Sequence, residues 1–132
     1  MKLLLILLLS LSLSNNILAN PLNELFDSYQ QAGIITPKSE QGKLLWNKTF
    51  ITEKSKGKQR SCNSCHGSDV RQSGEHIRTG KLIEPMSKKT NSKRFNDVKK
   101  VKKWFKRNCK WTLGRECTAQ EQANILTYLT TQ

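Results

Sequence analysis

The chain has 132 residues, with 23 lysines and arginines against 10 acidic side chains, so its formal net charge is +13. That length accommodates one small domain, near the lower limit for a self-sufficient apolar core, and leaves no room for a second. So basic a balance suits acidic partners or anionic lipid headgroups, whereas nucleic acid is excluded because no base-stacking motif accompanies the lysines.

Residues 1–19 read as a secretory leader: Lys2 supplies the positive start, residues 3–13 an apolar run interrupted only by Ser10 and Ser12, and Ala19 the small residue before a cut. The run is too short to span a bilayer comfortably. Ile17, at the minus-three position, is larger than the ideal and leaves retention as an anchor open. The domain proper is then residues 20–132, which keep a charge of +12 once Lys2 is lost. Its address is an oxidising one, the periplasm.

A first amphipathic helix is expected over residues 22–31, with Leu22, Leu25, Phe26 and Tyr29 on one side, ending at Gly33 and a turn that carries Pro37. Ser39 opens a second helix through Gly42, Leu45, Trp46 and Phe50. Lysine, serine and glycine over residues 54–61 make a loop that feeds Cys62-Asn63-Ser64-Cys65-His66.

Two thiols and an imidazole at that spacing are what covalent attachment of a c-type haem requires. Cys62 and Cys65 can each add across a haem vinyl group, and His66 can swing under the ring to ligate iron. A zinc site built from Cys62, Cys65, Cys109 and Cys117 would want close pairs in both halves, and a thioredoxin-like pair would want a βαβ pattern; neither is present. One covalently held haem c also supplies apolar mass that a chain of mean hydropathy −0.62 lacks, and without it no stable fold is expected.

Beyond His66, residues 67–80 carry three glycines and no sustained period, and read as a long loop around the haem edge that continues to Pro85. Asn96 is placed to cap a third helix, in which Val98, Val101, Trp104 and Phe105 recur at helical spacing while Lys99, Lys100, Lys102, Lys103 and Lys106 face outward. With two cysteines committed to the porphyrin, Cys109 and Cys117 are the pair an oxidising compartment joins, a staple that stabilises by about 2–3 kcal/mol on chain-entropy grounds. Thr118 and Glu121 form a capping box before the final helix of Ile125, Leu126, Tyr128 and Leu129. With no β-run and no internal repeat, the chain reads as all-α.

The Gly42-to-Trp46 spacing and Leu126-x-Tyr128-Leu129 resemble the crossing terminal helices of class I cytochromes c, where a small residue lets an aromatic pack across. More narrowly, Gly74-x-His76, Thr79-Gly80-Lys81, Ile83-Glu84-Pro85, Asn91-x-x-Arg94-Phe95, Lys103-Trp104-Phe105, Arg107-Asn108-Cys109 and Gly114-Arg115-Glu116-Cys117-Thr118 resemble the monohaem cytochromes typified by sphaeroides haem protein. The match spans about residues 39–129. The resemblance implies that the sixth iron ligand is the side-chain amide oxygen of an asparagine beside the first cysteine of a disulfide, which falls on Asn108. It further implies that reduction releases this ligand and opens the iron to O2, NO or CO, with a dihaem cytochrome c and a membrane cytochrome b as electron donors. The chain departs from the family at Ser87-Lys88-Lys89-Thr90, where an Ala-Pro-Ser-like turn is commoner.

On the residues alone, three side chains compete for the sixth position. Met86 follows His66 by twenty residues in a proline-containing loop, as a thioether ligand would in an ordinary electron-transfer cytochrome. His76 would give a bis-histidine centre through a tightly wrapped loop, and Asn108 sits near the end of an apolar-faced helix beside Cys109. Each also has a plainer reading: Met86 as packing, His76 as a hydrogen-bonding loop residue, Asn108 as a helix C-cap. The function classes follow from the ligand: a redox-gated gas-binding haem protein with Asn108, an electron carrier with Met86, or a secreted cationic binding module with structural haem. The lysine runs suit an acidic redox partner or peripheral contact with a membrane, and otherwise serve as a solvated face.

Overall fold

The computed structural model describes residues 20–34 and 36–132; the leader expected over residues 1–19 lies outside them. Among the described residues five α-helices and one two-stranded ribbon follow in the order α1 (Pro21–Gln31), α2 (Ser39–Asn47), α3 (Asn63–His66), β1 (Gly74–Glu75), β2 (Leu82–Ile83), α4 (Val98–Thr112) and α5 (Ala119–Thr131), with a 3-10 turn at Glu53–Ser55.

α1 starts where the Asn20 side chain accepts the Leu22 amide and Pro21 presets the first helical position. It buries Leu25 and Tyr29. α2 and α5 form the principal packing of the fold, and Gly42 makes it possible: a Cβ there would lie 2.1 Å from Asn124 O and 2.9 Å from Tyr128 Cβ. With the backbones in near contact, Trp46 packs against Tyr128 at 6.2 Å between ring centres. Around this crossing lies one core of Leu25, Tyr29, Trp46, Val70, Phe95, Ile125, Leu126 and Leu129. α5 begins at the expected capping box, where Thr118 Oγ1 accepts the Glu121 amide and the Glu121 carboxylate accepts the Thr118 amide.

Three expectations are corrected. The second helix stops at Asn47 rather than running through Phe50, because Lys48 turns to extended backbone and Phe50 pairs with Arg60 through two backbone hydrogen bonds of 2.8 and 2.9 Å. The third helix is capped by Asp97, whose carboxylate accepts the Lys100 amide at 2.9 Å, and not by Asn96. Asn96 instead offers its amide oxygen to the Lys88 ammonium. The loop after His66 holds an antiparallel ribbon, β1 with β2, too short for any period-2 pattern to reveal.

The segment before α4 is held in an uncommon shape. Phe95 has φ +65°, a left-handed conformation that a bulky side chain resists. Burial of its ring and the Lys88 ammonium, which donates to Arg94 O, Ser92 O and Asn96 Oδ1, keep it there. The Ser87–Thr90 segment, the departure noted in the sequence, therefore anchors the entry to α4.

Candidate functional site

Cys65 and His66 lie on the single helical turn α3 and Cys62 is its N-cap residue; the turn ends at Gly67 with φ +76°. Polar side chains define that turn: the Ser61 amide donates to Ser64 Oγ at 3.1 Å, and Asn63 Nδ2 donates to Asn47 Oδ1 at 2.9 Å, fastening the turn to the end of α2. The Trp46 indole donates to Gly67 O at 3.0 Å and its ring lies 5.4 Å from the His66 ring. The ribbon also closes on this backbone, since a Cβ at Gly74 would lie 2.1 Å from Cys65 O. The position of His66 is thus set by α2 and β1 together.

The chemistry of these three residues fits a covalent haem. Both thiols are free, and burial first of all pushes Cys62 up to about 11, which suits a neutral thiol and not a redox dithiol. His66 is pushed down to about 4, chiefly by burial, then by the Arg94 and His76 charges, so the imidazole is neutral as a metal ligand must be. Its Nδ1 is buried with no hydrogen-bond partner, so this nitrogen is committed to no partner among the described residues. The zinc alternative loses its other half, because Cys109 and Cys117 are joined to each other, Cα to Cα 5.5 Å.

The three rivals for the sixth position are distinguished by what else they do. Met86 is tied to Val70, its amide donating to Val70 O at 2.9 Å, and its side chain packs against the core. His76 sits in the turn of the ribbon, where its amide donates to Lys81 O and its Nδ1 lies 3.1 Å from Thr79 Oγ1. Asn108 is exposed on α4 and its amide makes no hydrogen bond among the described residues. The C-cap role is excluded, because the helix continues to Thr112 and is capped by Leu113. Asn108 lies one turn after Trp104 and one before Trp111, with the Arg107 guanidinium 5.0 Å from the Trp104 ring and the Arg60 guanidinium 4.5 Å from the Trp111 ring.

Two residues with structural weight here escape a sequence reading. Arg94 donates to Pro85 O and Glu84 O, tying the end of the ribbon to the turn before α4 close enough to perturb His66. Arg60 reads in the sequence as one more charge in a basic run, yet it spans to α4. Arg94 stands out only as a member of the Asn91-x-x-Arg94-Phe95 motif and Arg60 not at all, since both act on backbone carbonyls outside their own turn.

The outward face of α4 carries Lys99, Lys100, Lys102 and Lys103, while Lys110 and Lys106 share Glu116 at 3.0 and 3.9 Å. Among the described residues no helix is long and apolar enough to cross a membrane.

A family model described as a domain of unknown function, DUF1924, matches residues 32–129. Cytochrome c'' of Methylophilus methylotrophus is 38% identical over 96 residues, covering 73% of this chain and 65%, just under two thirds, of that protein. The cytochrome c-type protein SHP of Cereibacter sphaeroides is 37% identical over 111 residues, 83% of this chain and 82% of that one. The crystal structure of oxidised cytochrome c'' superposes with a TM-score of 0.76 at 33% identity, over 85% of this chain and 94% of that one. The structure of oxidised SHP, described as an oxygen-binding cytochrome c, gives 0.74 at 35% identity, over 85% and 96% of the two chains.

Proposed function

We propose, on the premise that this chain belongs to the DUF1924 family and is a c-type cytochrome of class I-like helical fold carrying covalent haem c, that it is a periplasmic haem protein with a redox-gated sixth ligand. Cys62 and Cys65 would hold the haem as thioethers, His66 would be its proximal iron ligand, and Asn108 would supply the sixth ligand of the oxidised state. When bound, the haem supplies a one-electron iron couple whose reduced form accepts O2, NO or CO. The same reading keeps residues 1–19 as the export signal and 20–132 as the haem domain.

The observation that carries this is the freedom of the Asn108 amide. Of the three competitors it has no packing or hydrogen-bonding task of its own among the described residues, and the adjoining Cys109–Cys117 bond limits how far its segment moves. A neutral, hard oxygen donor suits ferric better than ferrous iron, so adding an electron weakens its hold. The released side chain remains close, with both a donor and an acceptor to offer an incoming diatomic molecule. A thioether from Met86 would do the opposite and hold the reduced state. The basic face of α4 receives the electron donor, an acidic redox partner such as a dihaem cytochrome c or the exposed part of a membrane cytochrome b.

The test is spectroscopic. Asn108→Ala is expected to convert low-spin ferric haem to a high-spin or water-ligated form, and Met86→Ala to leave the ferric spectrum nearly unchanged. Loss of the low-spin state in Met86→Ala instead would make this an ordinary electron-transfer cytochrome.

A further inference from the structure

Arg60 stands two residues before Cys62, and its backbone is fixed on both sides of the peptide by Phe50: Phe50 N donates to Arg60 O and Arg60 N donates to Phe50 O. From this rigid base its side chain crosses to the last turn of α4. Nη1 donates to Trp111 O at 2.9 Å, Nη2 donates to Lys54 O at 3.3 Å, and the guanidinium lies over the Trp111 ring at 4.5 Å. Trp111 O is one of the last four carbonyls of α4, which have no partner within the helix, and a cation there also complements the helix dipole. Asn108 is one helical turn away on the same helix.

The Cys109–Cys117 bond holds Asn108 to the start of α5, but it does not reference that residue to the segment that bears the haem cysteines. Arg60 does. We infer that Arg60 is a positioning residue for the sixth ligand: it fixes the end of α4 to the haem-attachment segment and so sets how often Asn108 leaves ferric iron. This inference rests on Asn108 being the ferric ligand.

Exogenous cyanide must wait for Asn108 to depart from ferric haem, whereas CO meets ferrous haem after it has left. In the holoprotein, Arg60→Ala should therefore speed ferric cyanide association by about tenfold, the scale of one charge-assisted hydrogen bond, and leave ferrous CO association within about twofold. Arg60→Lys keeps a charge but loses the planar stack and the second donor, and should speed cyanide by about threefold, which serves as the reading if Arg60→Ala fails to mature. Asn108→Ala, measured beside them, should be faster than either. If Asn108→Ala speeds cyanide but the Arg60 variants keep the wild-type rate, the positioning role is wrong and the ligand assignment stands. Equal acceleration of cyanide and CO in the Arg60 variants would mean a general loosening of the haem crevice and also overturns the inference. An unchanged rate in Asn108→Ala would overturn the ligand assignment and this inference together.

Discussion

Replacing Gly42 by alanine adds one methyl group where α2 crosses α5. That Cβ would lie 2.1 Å from Asn124 O, 2.6 Å from Asn124 C and 2.9 Å from Tyr128 Cβ, and the two nearest atoms are backbone, which cannot rotate away. The helices must separate by about 1 Å or more before the contact becomes ordinary, and Trp46 and Tyr128, which pack at this crossing, move with them. Overpacking relieved only by backbone displacement places the cost at about 3 kcal/mol or more, against a total of about 5–15 kcal/mol for a domain. Gly33→Ala is the control: it too adds a methyl group, at φ +86°, but with nothing within 4 Å, so its cost is the left-handed strain of about 1–2 kcal/mol. Urea unfolding of the two ferric holoproteins followed by circular dichroism should show a much larger loss of midpoint for Gly42→Ala, with thermal midpoints falling by about 10 °C or more. The reasoning is refuted if the two variants lose the same stability. Because Trp46 also donates to Gly67 O beside His66, Gly42→Ala should disturb the haem spectrum as well, and Gly33→Ala should not.

Gly74→Ala would press its Cβ against Cys65 O, and should lower the yield of covalently attached haem in cells, read as haem-stained polypeptide per total chain. Glu121 is held below the usual carboxylate range, first by its hydrogen bonds to Arg115, so its contribution is present above the ordinary carboxylate pKa and lost as pH falls through the lowered folded value. Glu121→Gln should cost about 1 kcal/mol at neutral pH and flatten the acid limb of a stability-against-pH curve. Electron transfer from an acidic cytochrome should slow steeply as salt rises from about 10 to 150 mM, where the Debye length shrinks from about 30 to 8 Å, and less steeply after Lys99, Lys102 and Lys103 are changed to Gln; a salt-independent rate would return these lysines to a solubility role.

What the sequence disclosed was whatever is local. The haem motif, the capping box at Thr118 and Glu121, and the apolar spacing of α1, α4 and α5 are all short-range patterns, and the structure has each element in place. The small residue at Gly42 was legible through its spacing to Trp46, although only the structure shows that it meets the Asn124 backbone. The end of α2 was not, because Phe50 keeps the helical period and its pairing with Arg60 is a contact across a loop. Asn96 and Asp97 are both good caps, and the choice between them depends on where Lys88 draws the Asn96 amide. The ribbon at residues 74–83 has two-residue strands, too short for any alternation to register.

The same distinction separates the two halves of the site. The attachment half is contiguous in sequence and therefore declares itself, while the three candidates for the sixth position lie ten, twenty and forty-two residues beyond His66 and differ in what other work the fold gives them. Met86 is packed against the core, His76 is engaged within the ribbon, and the Asn108 amide makes no hydrogen bond among the described residues, on a helix where Trp104 one turn before and Trp111 one turn after each lie under a guanidinium. On the proposed reading Asn108 detaches on reduction and needs that freedom, for any bond the amide made in the protein would have to break each time it returned to the iron. It also needs a fixed origin, since a free side chain on a loose helix would return slowly. The Cys109–Cys117 bond and the Arg60 contact with Trp111 both restrain α4 within one turn after Asn108, and on the proposed reading they would supply that origin.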